Sequence, residues 1–174
     1  VNTEATSPSG NLHGMPVSCL LGQGPEALRG WSGEPAALQA QDIRFIGIRS
    51  VDAQEKLAIR NLDLRVYDMR HIDENGMRVT MTEALADIDA DTHLHVSFDL
   101  DCLDPADAPG VGTGVRGGPT YREMQLCMEM LADTGRLGSL DVVELNPALD
   151  VRNRTAEVAV ELIESLFGKS TLAR

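Results

Sequence analysis

The sequence predicts an α/β protein built on a mostly parallel sheet covered by helices on both faces. Three observations predict it. Short apolar runs of strand length stand at 43–48, 93–101 and 137–145. Helical patterns stand at 52–62, from Thr120, and at 153–167, the first two opening on capping boxes. The two kinds of segment alternate, which makes βαβ units rather than hairpins. In open sheets of this kind ligands bind at the carboxyl ends of the strands, and functional residues are sought there.

The elements follow in order. Residues 1–16 read as a loop, rich in Asn, Thr, Ser, Pro and Gly. Pro16 suits the first turn of a short helix through Val17, Cys19 and Leu20, which Gly22 and Gly24 stop. Residues 24–41 read as irregular. Ile43–Ile48 is a strand, and Asp52–Leu62 a helix with Asp52 as N-cap and Glu55 three residues on. Val66–Ile72 reads as a short strand. A second helix lies within Asp73–Ile88, starting near Thr80, with Leu85 and Ile88 on one face. His93–Asp101 is the clearest strand, and a Gly/Pro-rich loop runs from Leu103 to Pro119. Thr120 and Glu123 open the next helix as a capping box. Leu137–Leu145 is the next strand. Asn153–Phe167 is the last helix, with Ala156, Ala159, Val160, Ile163 and Phe167 at helical spacing. With no repeat and no linker, residues 1–174 read as one domain or part of one.

Composition bounds the function. The 174 residues are 43% hydrophobic and 24% charged, values of a globular chain with enough length for a core. Aromatics are 3%, so that core falls to Leu, Val, Ile, Ala and Met. A net charge of −12 argues against nucleic acid and anionic membranes as partners. No apolar run reaches the roughly 20 residues of a membrane span. Cys19, Cys102 and Cys127 are widely spaced and odd in number, which fits bland thiols in a reducing, cytoplasmic setting. Val1 stands in place of an initiator Met and opens on loop-like sequence, so the chain is expected to begin in mid-domain.

The chemistry centres on Ser97-Phe98-Asp99-Leu100-Asp101-Cys102-Leu103-Asp104-Pro105. Asp99 and Asp101, at i and i+2 of a strand end, are expected to project to one side. Two carboxylates there repel unless a hard divalent cation, Mg²⁺ or Mn²⁺, lies between them; otherwise they form a solvated acidic strand end. His93 and His95 share parity with Asp99, but His95 stands roughly 13 Å away along a strand and both read as structural. Glu144 ends the next strand. If the two strands are parallel it emerges on the same rim, where it either grips a planar guanidinium or is an ordinary acidic residue. His13, in a Gly-bounded loop, is either a proton shuttle or a plain loop histidine.

Together these residues resemble the arginases of the ureohydrolase family. The resemblance rests on Asn2-Thr3 through Ser7-Pro8-Ser9-Gly10-Asn11-Leu12-His13-Gly14-Met15-Pro16, on Gly47-Ile48-Arg49-Ser50-Val51-Asp52 with Glu55, and on the aspartate stretch 97–105. It continues through Gly112-Thr113-Gly114, Gly117-Gly118, Thr120-Tyr121-Arg122-Glu123 and Asp141-Val142-Val143-Glu144-Leu145-Asn146-Pro147. It implies a three-layer α/β/α fold, here truncated at its N-terminal side, and hydrolysis of L-arginine to L-ornithine and urea at a pair of Mn²⁺ ions. Asp99 and Asp101 match metal ligands, His13 the proton shuttle, and Glu144 the carboxylate that holds the guanidinium. Asn2 and Ser9, with the backbone at Gly10 and Asn11, match the loop that reads the substrate α-carboxylate. Asp52, with Glu55 close behind, matches the contact to the α-ammonium, and Thr113 a substrate-pocket position. The resemblance also implies a cytoplasmic homo-oligomer, a trimer or hexamer. Two further ligand motifs of that family, GGDHS-like and DAHxD-like, do not occur in these residues, so the 174 residues alone are expected to be a fragment with little or no activity. The alternatives are a catalytically inactive protein that uses the same fold for binding or assembly, or an agmatinase-like guanidino hydrolase.

Overall fold

A computed structural model of the chain describes residues 1–29 and 36–172; residues 30–35 of the stretch read as irregular lie outside them. Two compact units form, one from Val1–Ile46 with Ser50–Val66, the other from Gly47–Arg49 with Tyr67–Arg174. Strands β1 (Arg44–Ile48) and β2 (Arg65–Asp68) pair, and the division passes through both.

The first unit is built of short elements. The loop 1–16 contains a 3-10 turn at Leu12–Gly14, followed by helix α1 (Pro16–Leu20), which Pro16 opens as expected. Further 3-10 turns stand at Glu26–Leu28 and Ala40–Asp42. Helix α2 (Ala53–Asn61) starts on the expected capping box. Asp52 Oδ1 accepts from the amides of Gln54 and Glu55 at 2.8 and 2.9 Å, and Glu55 Oε2 accepts from the Asp52 amide at 3.2 Å.

The second unit corrects two boundaries near its start. β2 ends at Asp68, not Ile72, because Asp68 Oδ1 accepts from the His71 amide at 2.8 Å and so caps a helix. Helix α3 (Met69–Ala86) therefore begins eleven residues before Thr80. Gly76, at φ 80° and ψ 156°, breaks it into two helical segments, and only the second was expected. The inward face carries Ile72, Met77, Thr80, Met81 and Ala84; Leu85 and Ile88 are half-buried, and Ile88 lies past the helix end.

Strand β3 (Leu94–Asp99) pairs in parallel with β4 (Leu137–Val143), as the βαβ reading requires, with Asp99 beside Val143. Among the described residues the strands form two two-stranded sheets, not one continuous sheet. Phe98 is buried, whereas His95, Ser97, Ser139 and Asp141 are exposed. Along β3 the exposed His95 and Ser97 share one face and Val96 and Phe98 the other. On the first face His95 Nδ1 and Ser139 Oγ lie 2.7 Å apart and His95 Nε2 lies 3.4 Å from Asp141, consistent with a structural role for His95.

Helix α4 (Tyr121–Asp133) opens on the Thr120/Glu123 capping box. Helix α5 (Arg154–Leu166) packs on α4, and α4 on α3. Asn153 does not cap α5 through its side chain; it sits at φ 61°, and Asp150 takes the task, accepting from the amides of Thr155 and Ala156 at 3.0 to 3.2 Å. The buried face of α5 is Thr155, Ala159, Leu162, Ser165 and Leu166, while Val160 and Phe167 are exposed. The core is largely Met and Leu, as the shortage of aromatics demands: Leu100, Leu103, Met81, Met124, Met128, Leu162 and Leu166 are buried with Phe98. Cys127 is buried among them, 3.4 Å from Met81 Sδ, and burial pushes its thiol up to about 12. That is a packing role, not a reactive one.

Candidate functional site

The second unit gathers the acidic residues. β3 stops at Asp99, because its carboxylate Oδ1 accepts from the Asp101 amide at 3.0 Å and turns the chain into a 3-10 helix over Leu100–Cys102. Asp101 is thus not a strand residue, and the alternation argument for placing it beside Asp99 does not hold. The two carboxylates are nevertheless neighbours. Asp99 is pushed up to about 6, first by burial and next by the charge of Asp101, with Glu144 adding to it. Asp101 Oδ2 accepts from the Thr113 hydroxyl at 2.7 Å.

Glu144 follows the residue that pairs with Asp99, so the parallel register puts it on the expected rim. It adopts φ 66°, a conformation uncommon for a residue with a Cβ; such positions cluster at functional sites. An isolated antiparallel bridge between Val111 and Leu145 lays the loop beside the end of β4. The Asn146 amide reinforces it, donating to Gly110 O at 2.8 Å. A Cβ on Gly112 would lie 3.9 Å from Glu144 Oε2. Asp99, Asp101, Thr113 and Glu144 are therefore brought to one rim at the ends of β3 and β4. At the opposite ends of these strands Asp91 and His93 line, with Arg136, a hollow of about 260 Å³.

The donor chemistry of this rim fits a hard divalent cation. Carboxylates crowded until one resists ionisation are relieved by a positive charge between them. Asp99 and Asp101 are the residues that could hold it, and two carboxylates leave most of a six-fold shell to other donors. Among the described residues no group of three or more His, Cys, Asp or Glu side chains is arranged around a metal position.

The first unit gathers a different set. Asn2 is buried, and its Nδ2 donates to Asp52 Oδ2 at 3.0 Å while its Oδ1 accepts from Thr6 Oγ1 at 2.9 Å. Ser18 Oγ donates to Asn2 O at 2.6 Å. The Asn2 amide, then the backbone amide of Glu55, hold the Asp52 carboxyl below the usual range, so it is a firm anion. Asn2, Asp52 and Glu55 thus form one polar cluster. Ser9, Gly10 and Asn11 form an exposed turn, with Ser7 Oγ accepting from the Gly10 amide at 3.0 Å and Ser9 Oγ from the Asn11 amide at 3.2 Å. His13 is exposed on the 3-10 turn that follows.

Sequence reasoning missed two contributions. Thr113, which the resemblance places in the substrate pocket, also donates its hydroxyl to Asp101 Oδ2, a contact the sequence reading did not assign. Arg49, quoted in a motif but given no role, donates to four main-chain carbonyls around the Asp101 turn. Neither pairing has a local sequence signal, since the partners lie 12 and more than 50 residues away.

The family model described as the arginase family matches residues 1–168. An arginase of Bacillus caldovelox is 49% identical over 173 residues, which is 99% of this chain and 58% of that protein. The crystal structure of arginase from Bacillus subtilis superposes with a TM-score of 0.95 at 48% identity, covering 98% of this chain and 60% of that one. The arginase of Entamoeba histolytica in complex with L-ornithine gives a TM-score of 0.89 at 33% identity, over 97% of this chain and 56% of that one. The chain therefore spans a little over half the length of the relatives it matches.

Proposed function

This chain belongs to the arginase family, and from that membership we propose that it forms part of a manganese-dependent hydrolase that converts L-arginine and water to L-ornithine and urea. The observation that supports the reading is the rim at the ends of β3 and β4, where Asp99 pairs in register with Val143 beside Glu144 and Asp101 Oδ2 accepts from Thr113 at 2.7 Å. Asp99 and Asp101 would supply oxygen donors to a two-ion Mn²⁺ centre. Such ions, when bound, supply the Lewis acidity that lowers the pKa of water enough for hydrolysis near neutral pH.

The chain's own residues would do the rest. Thr113 holds the Asp101 carboxylate through its hydroxyl. Glu144 accepts two guanidinium N–H groups and orients the carbon under attack. His13 gives a proton to the departing amine, which leaves poorly as an anion. The firm anion Asp52, with Glu55 beside it, attracts the α-ammonium; Asn2 and Ser9, with the backbone at Gly10 and Asn11, read the α-carboxylate. That the Entamoeba relative was solved with L-ornithine supports an amino-acid ligand. We infer from family membership a cytoplasmic homotrimer or homohexamer.

Agmatine lacks the α-carboxylate, so polar groups built for it would be left unpaired. The test is kcat/KM for L-arginine and for agmatine, with Mn²⁺, on the polypeptide as its gene encodes it. Arginine should be preferred by at least about 10³-fold. Equal turnover, or a preference for agmatine, would replace this reading with an agmatinase-like one.

A further inference from the structure

Arg49 follows β1 and belongs to the second unit. Its Nη1 donates to Cys102 O at 2.8 Å, and its Nη2 to Asp101 O at 2.9 Å and Leu103 O at 3.1 Å. Its Nε and Nη2 both donate to Val115 O, at 2.9 and 2.5 Å. Three consecutive carbonyls of the turn that carries Asp101 thus converge on one cation. The fourth lies two residues past Thr113, the residue that holds Asp101 Oδ2. The same two limbs also meet directly. Asp104 Oδ2 accepts from the Gly117 amide at 2.7 Å, and a Cβ on Gly118 would fall 2.4 Å from Cys102 O.

We propose that Arg49 is the positioning residue of the carboxylate rim: its guanidinium ties the outgoing limb of the loop, 101–103, to the returning limb at Val115, and so sets where the Asp99 and Asp101 carboxylates stand. This rests on the reading of the rim as a cation site. A planar fork of five N–H donors can serve carbonyls arriving from two limbs at once. A lysine ammonium keeps the charge but presents three donors at a single point and cannot span them. Loss of the fork frees the loop without removing any ligand. Residues that support metal ligands from outside the coordination shell typically govern affinity by 10- to 100-fold.

The test compares wild type, Arg49→Lys and the surface control Arg70→Lys in the polypeptide as its gene encodes it. Free Mn²⁺ is titrated by electron paramagnetic resonance, amide exchange is followed in the metal-free protein, and arginine kinetics are run at saturating Mn²⁺. Arg49→Lys should raise the Mn²⁺ Kd by about 10-fold or more and speed exchange across 101–117. KM for arginine should stay within about twofold and kcat should fall, the signature of a disturbed centre with an intact substrate grip. An unchanged Kd with unchanged exchange overturns the proposal. So does a lower melting temperature with an unchanged Kd, which would make Arg49 a stabilising residue only. If wild type binds Mn²⁺ but releases no urea, the arginine reading fails alone and the Kd comparison still decides on Arg49. If wild type binds no Mn²⁺, both readings fail.

Discussion

Burial beside two other carboxylates gives Asp99 a testable pH signature. Its carboxyl titrates near 6 in the folded chain against an ordinary value of 3.8. Between those values the folded state holds the extra proton, so this residue's stabilisation is full below about pH 4 and is lost as pH rises through about 6. Asp52 and Asp104, whose carboxyls are held low by hydrogen bonds, act in the opposite sense on acidification. A difference measurement separates them. In EDTA, Asp99→Asn should gain melting temperature over wild type at pH 7.5 and little or none at pH 4.5; equal gains at both would contradict the burial argument. With saturating Mn²⁺ the order at pH 7.5 should reverse, since only wild type keeps the ligand. Asp52→Asn isolates the other cluster. Asn keeps the N-cap of α2 but loses the anion to which Asn2 donates, so some stability is lost at neutral pH while α2 stays formed, and KM for arginine rises by about tenfold or more. An unchanged KM would remove Asp52 from the substrate grip. At this scale the sequence was informative wherever a residue type carried its own chemistry: Asp99, Asp101 and Glu144 meet at one rim, and Asn2, Asp52 and Glu55 meet at another. Arg49 was opaque because its role lies in carbonyls supplied by a turn more than 50 residues away.

At the scale of elements, capping chemistry set the helix starts wherever the side chain could be read. Asp52/Glu55 and Thr120/Glu123 both close as capping boxes. Where caps were overlooked the boundaries moved. Asp68 starts α3 inside a stretch whose apolar residues, Val66 and Ile72, also fit a strand. Gly76 then breaks the helix, which masks its period. For α5 the cap is remote, since Asp150 reaches forward over a turn in which Arg152 and Asn153 have positive φ. Asp150→Ala should therefore cost about 1–2 kcal/mol in chemical denaturation. Asn153→Gly should cost nothing measurable, because glycine accepts that backbone geometry freely. The reverse order would make Asn153 the cap and contradict this assignment. The slipped face of α5 has a similar cause. Apolar residues at 156, 159, 160, 163 and 167 fit one stripe, but Thr155 and Ser165 are buried polar residues satisfied by hydrogen bonds to Gly110 N and Glu161 O. Their inward turn rotates the helix about one position. Leu162→Ala should cost about 2–5 kcal/mol, while Phe167→Ala, at a position 69% exposed, should cost far less.

Across the whole molecule the α/β class and the parallel pairing of β3 with β4 were legible, because alternation of element type needs no knowledge of partners. The expected arginase-type α/β fold is the one to which the chain superposes, with a TM-score of 0.95 to the Bacillus subtilis arginase. The match to arginases runs over 99% of this chain and 58% of the Bacillus caldovelox protein. The central claim is that the rim of Asp99 and Asp101 takes manganese in order to hydrolyse arginine. The measurement that tests it most directly is urea release from L-arginine by the polypeptide as its gene encodes it, in EDTA and with added Mn²⁺, for wild type and for Asp99→Asn with Asp101→Asn. Urea and ornithine in equal amounts, with Mn²⁺ and from wild type only, is the predicted result. Urea release that survives EDTA, or that persists in the double variant, would contradict the claim.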